Sequence, residues 1–113
     1  DTEFGRLGLL ICYDIHEQAA IMSRLKVDTL LYSIAWVEDE GSDWFEKRLP
    51  AIARQTGMNI VAANWTVPKE PAPSWFGYGQ SRIIDCTGTT LAKAANDLAD
   101  EIVYAQLPIA TDE

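Results

Sequence analysis

Cys12 is the residue whose position most invites chemistry. It ends the apolar run Arg6–Cys12 (RLGLLIC), and Tyr13-Asp14 then leads into a helix-like stretch. A thiol on such a strand-to-helix elbow is held rigidly, and the backbone N–H of the next residue, Tyr13, is placed to bind an oxyanion. The plainer reading is core packing, because free cysteine is among the most buried residue types. A free thiol titrates near ~8.5, so a nucleophilic Cys12 also needs an activating partner. His16, the only histidine, lies four residues on and could share a helical face with Cys12. An extended Cys12 argues against that dyad and leaves His16 on the helix surface. Cys86, in a turn beside Gly88, reads as an incidental exposed thiol. One histidine and two distant cysteines make no metal site. Glu38, Asp39, Glu40 and Asp43 read as a solvated acidic loop, and no glycine loop of phosphate-binding type is present.

The elements that must position Cys12 alternate along the chain. Arg6–Cys12 reads as a strand buried on both faces. A helix follows from Asp14 or Glu17 through Lys26, with Ala19, Ala20, Met22 and Leu25 as a partial apolar stripe. Asp28–Ser33 is a second buried strand and Val37–Ser42 an acidic loop. Asp43 to Gly57 reads as a helix that Pro50 should kink or break, with Gly57 just past its end. Met58–Asn64 is a third strand, and the proline-rich stretch Trp65–Gly79 an irregular connection. Gln80–Asp85, the turn Cys86-Thr87-Gly88 and Thr89–Ala94 form a hairpin. Glu101–Leu107 alternates and reads as a last strand. This order predicts an α/β layered fold with a mixed sheet. If the first three strands are parallel, Cys12, Ala35-Trp36 and Asn64-Trp65 converge on one rim. Tyr13, Trp36 and Trp65 would then form an apolar pocket around the thiol; the alternative is that the tryptophans merely cap the core.

Composition narrows the classes further. With 48% hydrophobic residues the chain is too apolar for intrinsic disorder, and it is long enough for one domain with a core. Nine basic against 17 acidic residues give a net charge of −8, which opposes binding to nucleic acid or an anionic membrane. The runs Leu7–Tyr13 and Met58–Trp65 are far shorter than the ~20 apolar residues of a membrane span. Two cysteines make no disulfide scaffold and lean towards a reducing cytoplasm, with a periplasmic or secreted location as the alternative. The chain starts at Asp1, not Met, and is expected to be either processed or a piece of a longer protein.

Taken together, several segments resemble the carbon–nitrogen hydrolase (nitrilase) superfamily. They are Gly8 to Asp14 (GLLICYD), Asp28 to Trp36 (DTLLYSIAW), Ile60 to Asn64 (IVAAN), Gly79 to Asp85 (GQSRIID) with Gly88, and the Glu101–Leu107 segment. They run in family order over almost the whole chain. The aromatic-rich stretches look most like the biotinidase and pantetheinase type of amidase. The resemblance implies an α-β-β-α sandwich, here only its C-terminal half, residues 1–113, with a mixed β-sheet. It implies a Glu–Lys–Cys triad in which Cys12 attacks an amide or nitrile carbon and forms a thioester. The Tyr13 N–H falls in the oxyanion hole, Trp36 at the substrate, and Asp14, Glu17, Ala35, Asn64 and Trp65 support the pocket. Ile15-His16 stands where many members carry a longer stretch with Phe-Pro, so Glu17 matches the family's acidic residue only across a shorter gap. Cys86 stands where proline is common.

The family's Glu and Lys lie upstream of the nucleophile, and Lys26, Lys47, Lys69 and Lys93 do not match the Lys motif. The resemblance therefore implies a hydrolase of non-peptide C–N bonds, inactive without an N-terminal half, with no cofactor or metal. A small-molecule amide or nitrile is the expected substrate, and a homo-oligomer the expected assembly. Two alternatives stand beside it: a non-catalytic binding or assembly module that keeps the fold, and an amide-forming acyltransferase of the same family.

Overall fold

The computed structural model describes residues 1–36, 43–66, 79–95 and 100–109. The proposed acidic loop Val37–Ser42 and most of the Trp65–Gly79 connection lie outside the described residues. Among the described residues, five strands form one sheet in the order β1-β2-β3-β4-β5: β1 Leu7–Ile11, β2 Thr29–Ile34, β3 Asn59–Asn64, β4 Arg82–Ile84 and β5 Thr90–Lys93. The first three are parallel, joined by crossovers that carry helices, and the last two are antiparallel. The sheet is thus mixed, as the element order predicts. Leu10 lies level with Tyr32, Tyr32 with Ala62, and Ala62 with Arg82. Those residues, with Leu30, Ile34, Ile60 and Ile84, are buried on one face.

Helix α1, Asp14–Arg24, turns Ile15 and Ala19 towards the core cluster and Met22 against its margin. It approaches the sheet at Gly8, where an added Cβ would stand 3.1 Å from a Val27 methyl and 3.2 Å from the Met22 sulfur. Helix α2, Leu49–Thr56, buries Leu49, Pro50 and Ala53. Gly57 ends it in the left-handed conformation at φ 71°, its N–H donating to the Ala53 carbonyl. Nothing lies within 4 Å of a Cβ built there. Gly57→Ala therefore carries only the backbone penalty, and we expect about 1–2 kcal/mol of destabilisation by denaturant titration. A loss beyond that range would mean that the turn also makes contacts that a methyl disturbs.

Two sequence expectations need correction, and a third holds. β1 is not buried on both faces: Leu9 is 71% and Ile11 67% exposed, because α1 and α2 cover only the other side of the sheet. The helix expected from Asp43, with a kink or break at Pro50, does break, into a π-helical turn, Trp44–Arg48, and α2. Pro50, which cannot donate an N–H, falls in the first turn of α2, where no intrahelical donor is needed. The proline thus marks the junction of two helical registers. Finally, Glu101–Leu107 is not a strand. Its continuation is held through the Pro108 carbonyl, which accepts from the Asn59 side chain at 2.8 Å. The Asn59 amide also donates to Thr29 Oγ1, and its oxygen accepts from the Cys86 N–H. A side chain therefore does the anchoring that the alternation had suggested a backbone ladder would do.

Candidate functional site

Cys12 follows β1 directly, and the chain breaks sharply there. Its φ is 53°, in the left-handed region that residues with a Cβ seldom occupy. The turn is over-determined by its hydrogen bonds. The Cys12 N–H donates to the Ser33 carbonyl at 2.9 Å, extending the β1–β2 pairing by one residue. The Cys12 carbonyl accepts from the Tyr32 hydroxyl at 2.7 Å and, more distantly, from the Ile15 N–H at 3.5 Å. Asp14 reaches back across the elbow, its carboxylate accepting from the Ile11 N–H at 3.3 Å. Strain of this kind collects where a scaffold presents a reacting group. The thiol is half-buried. Among the described residues, nothing accepts a hydrogen bond from the Tyr13 N–H, which leads into the first turn of α1, where backbone dipoles favour negative charge.

Tyr32 is the buried support of this elbow. It is 1% exposed and belongs to the core cluster. Burial pushes its hydroxyl far above the usual tyrosine range, and the nearby Cys12 and Asp14 add to the rise. The hydroxyl therefore stays a hydrogen-bond donor throughout the working pH range of a protein. The sequence presents Tyr32 only as one more residue of an apolar strand. Its role becomes visible only when Leu10 and Tyr32 are placed side by side in register.

The parallel strands bring together Trp36 and Trp65, just past the ends of β2 and β3, and Asn64, the last residue of β3. Asn64 bonds across the gap: its Oδ1 accepts from the Trp36 N–H at 2.8 Å, and its Nδ2 donates to the carbonyls of Trp36 and Gly79. Trp65 donates its indole N–H to the same Trp36 carbonyl at 3.2 Å. Ser81 donates to the Asn64 carbonyl and accepts from its N–H. Asn64 and Trp65 thus fix the backbone around Trp36. Ala35 is exposed beside it.

An aromatic ladder links this rim to the elbow. The Tyr13 ring lies 4.9 Å from His16, His16 lies 5.1 Å from Trp44, and Trp44 stacks on Trp36 at 4.9 Å. The Arg48 guanidinium sits 5.5 Å from the Trp44 ring centre. His16, read as a surface residue, is solvent-exposed and yet flanked by rings on both sides. Trp44 is brought here by the π-helical turn, which is tied down from β4. Arg82, with its side chain wholly buried, donates to the Phe45 carbonyl at 3.0 Å and to Glu46 at 3.1 Å. It also donates to the carbonyl and side chain of Gln80. That bond to Arg82 holds the Glu46 carboxyl below its ordinary range. Arg82 lies in the GQSRIID segment, but the sequence assigned neither it nor Trp44 a part in the site.

Other expected residues are placed differently. Glu17 lies in the exposed first turn of α1. Cys86 is half-buried rather than exposed, with its N–H engaged by Asn59. A cavity of about 210 Å³ opens between the ends of β3 and β4, lined by Asn64, Trp65, Gly79 and Ser81 together with Asp100 and Glu101. Cys12 does not line it, so the chemistry at the elbow and this hollow at the rim are separate features. Among the described residues, no three His, Cys, Asp or Glu side chains gather into a metal-binding set.

Comparison with known proteins agrees with this architecture. The carbon–nitrogen hydrolase family model matches residues 1–111. A hydrolase of Schizosaccharomyces pombe, C26A3.11, is 31% identical over 109 residues, covering 95% of this chain and 33% of the relative. Omega-amidase NIT2 of Bos taurus is 30% identical over 111 residues, covering 96% of this chain and 39% of the relative. The chain thus spans little more than a third of the length of these curated relatives. Among solved structures, an amidase from Nesterenkonia sp. AN1 superposes with a TM-score of 0.69 at 25% identity, over 83% of this chain and 37% of the amidase. That structure shows acrylamide joined by Michael addition to the amidase's active-site cysteine. The mixed sheet with its covering helices is accordingly a nitrilase-superfamily fold, and the chain belongs to the carbon–nitrogen hydrolase family.

Proposed function

We propose that these residues form the nucleophile-bearing, C-terminal part of an amidase, with Cys12 as its nucleophile. The observation that carries this reading is the elbow itself. A half-buried thiol stands at φ 53° after a parallel strand, beside an N–H that donates to no partner among the described residues. The Cys12 sulfur attacks the amide carbon, a C–S bond forms, and the carbonyl electron pair moves onto oxygen, where the Tyr13 N–H stabilises it. Collapse breaks the C–N bond, and the amine leaves with a proton supplied by a general acid. Water then cleaves the thioester, giving the carboxylic acid and regenerating the thiol. The acid–base Glu and Lys come from outside these 113 residues, in a preceding half that also covers the Leu9 and Ile11 face of the sheet. Trp36, backed by Trp44 and held by Asn64 and Trp65, borders the acyl group, and Asp14 braces the elbow.

Support also comes from the related Nesterenkonia amidase with its reactive active-site cysteine. The naming of curated relatives as omega-amidases favours small amides as substrates over the biotinidase or pantetheinase type. A homo-oligomer and a reducing cytoplasm, which suits two free thiols, complete the proposal. The test is acid quenching of the intact polypeptide during turnover of a panel of small amides, followed by peptide mass analysis. An acyl adduct on the Cys12 peptide, released by hydroxylamine, is the expected result. Turnover with the adduct on Cys86, or with none, would overturn the assignment.

A further inference from the structure

We infer that Tyr32 is a positioning residue that aims the oxyanion-binding N–H of Tyr13 by gripping the opposite end of the same peptide group. The Cys12 carbonyl and the Tyr13 N–H belong to one planar unit, and in a trans peptide they point in opposite directions. The Tyr32 hydroxyl rises from the buried face of β2 and donates to that carbonyl at 2.7 Å. Holding the carbonyl towards the core directs the N–H away from it. The Ile15 N–H approaches the same oxygen only at 3.5 Å, so Tyr32 supplies the short contact.

Two further observations fit this role. Cys12 is in the left-handed region, a conformation that must be enforced by its surroundings. A hydrogen bond accepted by an amide oxygen also polarises the amide and strengthens its N–H as a donor. Because burial keeps the Tyr32 hydroxyl protonated, the grip does not lapse as pH rises through neutrality. The oxyanion develops only as the carbonyl is attacked, so this aim matters in the transition state more than in substrate binding.

The inference rests on Cys12 being the nucleophile, and its test separates the two claims. Tyr32→Phe, made in the intact polypeptide, removes one hydroxyl and keeps the ring. Loss of an oxyanion donor outright costs roughly 10²–10³ in kcat, and a misaimed donor should cost about 10- to 100-fold. The expected pattern is that fall in kcat with KM within about twofold, and a parallel loss of affinity for an aldehyde analogue of the substrate. Such an aldehyde forms a tetrahedral adduct with the thiol, the thiol proton passing to the new oxygen. Alkylation of Cys12 by iodoacetamide, which needs no oxyanion hole, should stay within about twofold of the parent rate. If Tyr32→Phe does not fold, Tyr32→Met, which fills the space without a donor, replaces it. Unchanged kcat and aldehyde affinity would overturn the inference, as would a loss of turnover matched by an equal loss of alkylation rate. Full turnover by Cys12→Ala would instead sink the reading of the nucleophile.

Discussion

Cys12→Ala is expected to abolish amide turnover in the intact polypeptide, by about 10⁴-fold or more, while leaving the protein folded. Removing a covalent nucleophile removes the reaction path, and what survives is binding and oxyanion stabilisation without a group to attack. Folding should be little affected, because the thiol is only half-buried and the elbow is held by backbone groups and by Tyr32. Alanine carries the same Cβ through the same left-handed conformation, so no new strain arises. Ammonia release from a small amide is the measurement, with Cys86→Ala as the control that should retain full rate. Undiminished release from Cys12→Ala would remove the chemical basis of the assignment and leave only the fold.

The second large effect concerns stability. Trp44 is 1% exposed, belongs to the core cluster and sits between Trp36 and His16. Truncating a buried tryptophan to alanine costs about 3–5 kcal/mol, through lost burial and the cavity left behind. Trp44→Ala should fall in that range in a denaturant titration, and should raise KM by loosening the backing of Trp36. Arg48, whose guanidinium lies over the same ring, would lose that contact as well. A cost under about 1 kcal/mol would show that the ladder is ornamental and that the rim is held by Asn64 alone.

Much of the frame was legible from apolar runs and turn residues. RLGLLIC, DTLLYS and MNIVAAN read as strands and became β1, β2 and β3, with bounds shifted by a residue or two. The hairpin through Cys86-Thr87-Gly88 also matched, and so did the gathering of Trp36, Asn64 and Trp65 at the strand ends. What could not be read were facts that depend on neighbours far along the chain. An apolar run says that a strand avoids water, but not which elements will cover it; Leu9 and Ile11 lie open for that reason. The alternation in Glu101–Leu107 suggested a ladder, but the contact that holds its continuation runs through Asn59. Tyr32 is indistinguishable in sequence from a core residue, because its function depends on the left-handed turn at Cys12.

The widened turn at Trp44–Arg48 also gives the rim a residue to spare. Its bonds run from residue i to i+5, as in the Leu49 N–H donating to the Trp44 carbonyl. Deleting a single residue there would let the segment relax to ordinary α-helical winding. An i to i+4 ring closes the same single turn with one residue fewer, so what precedes the deletion would keep its direction. Trp44 would then stay against Trp36 and His16. A deletion inside α2, which has no surplus residue, would instead rotate everything before it by about 100°, so the two neighbouring segments should differ sharply in their tolerance of lost length.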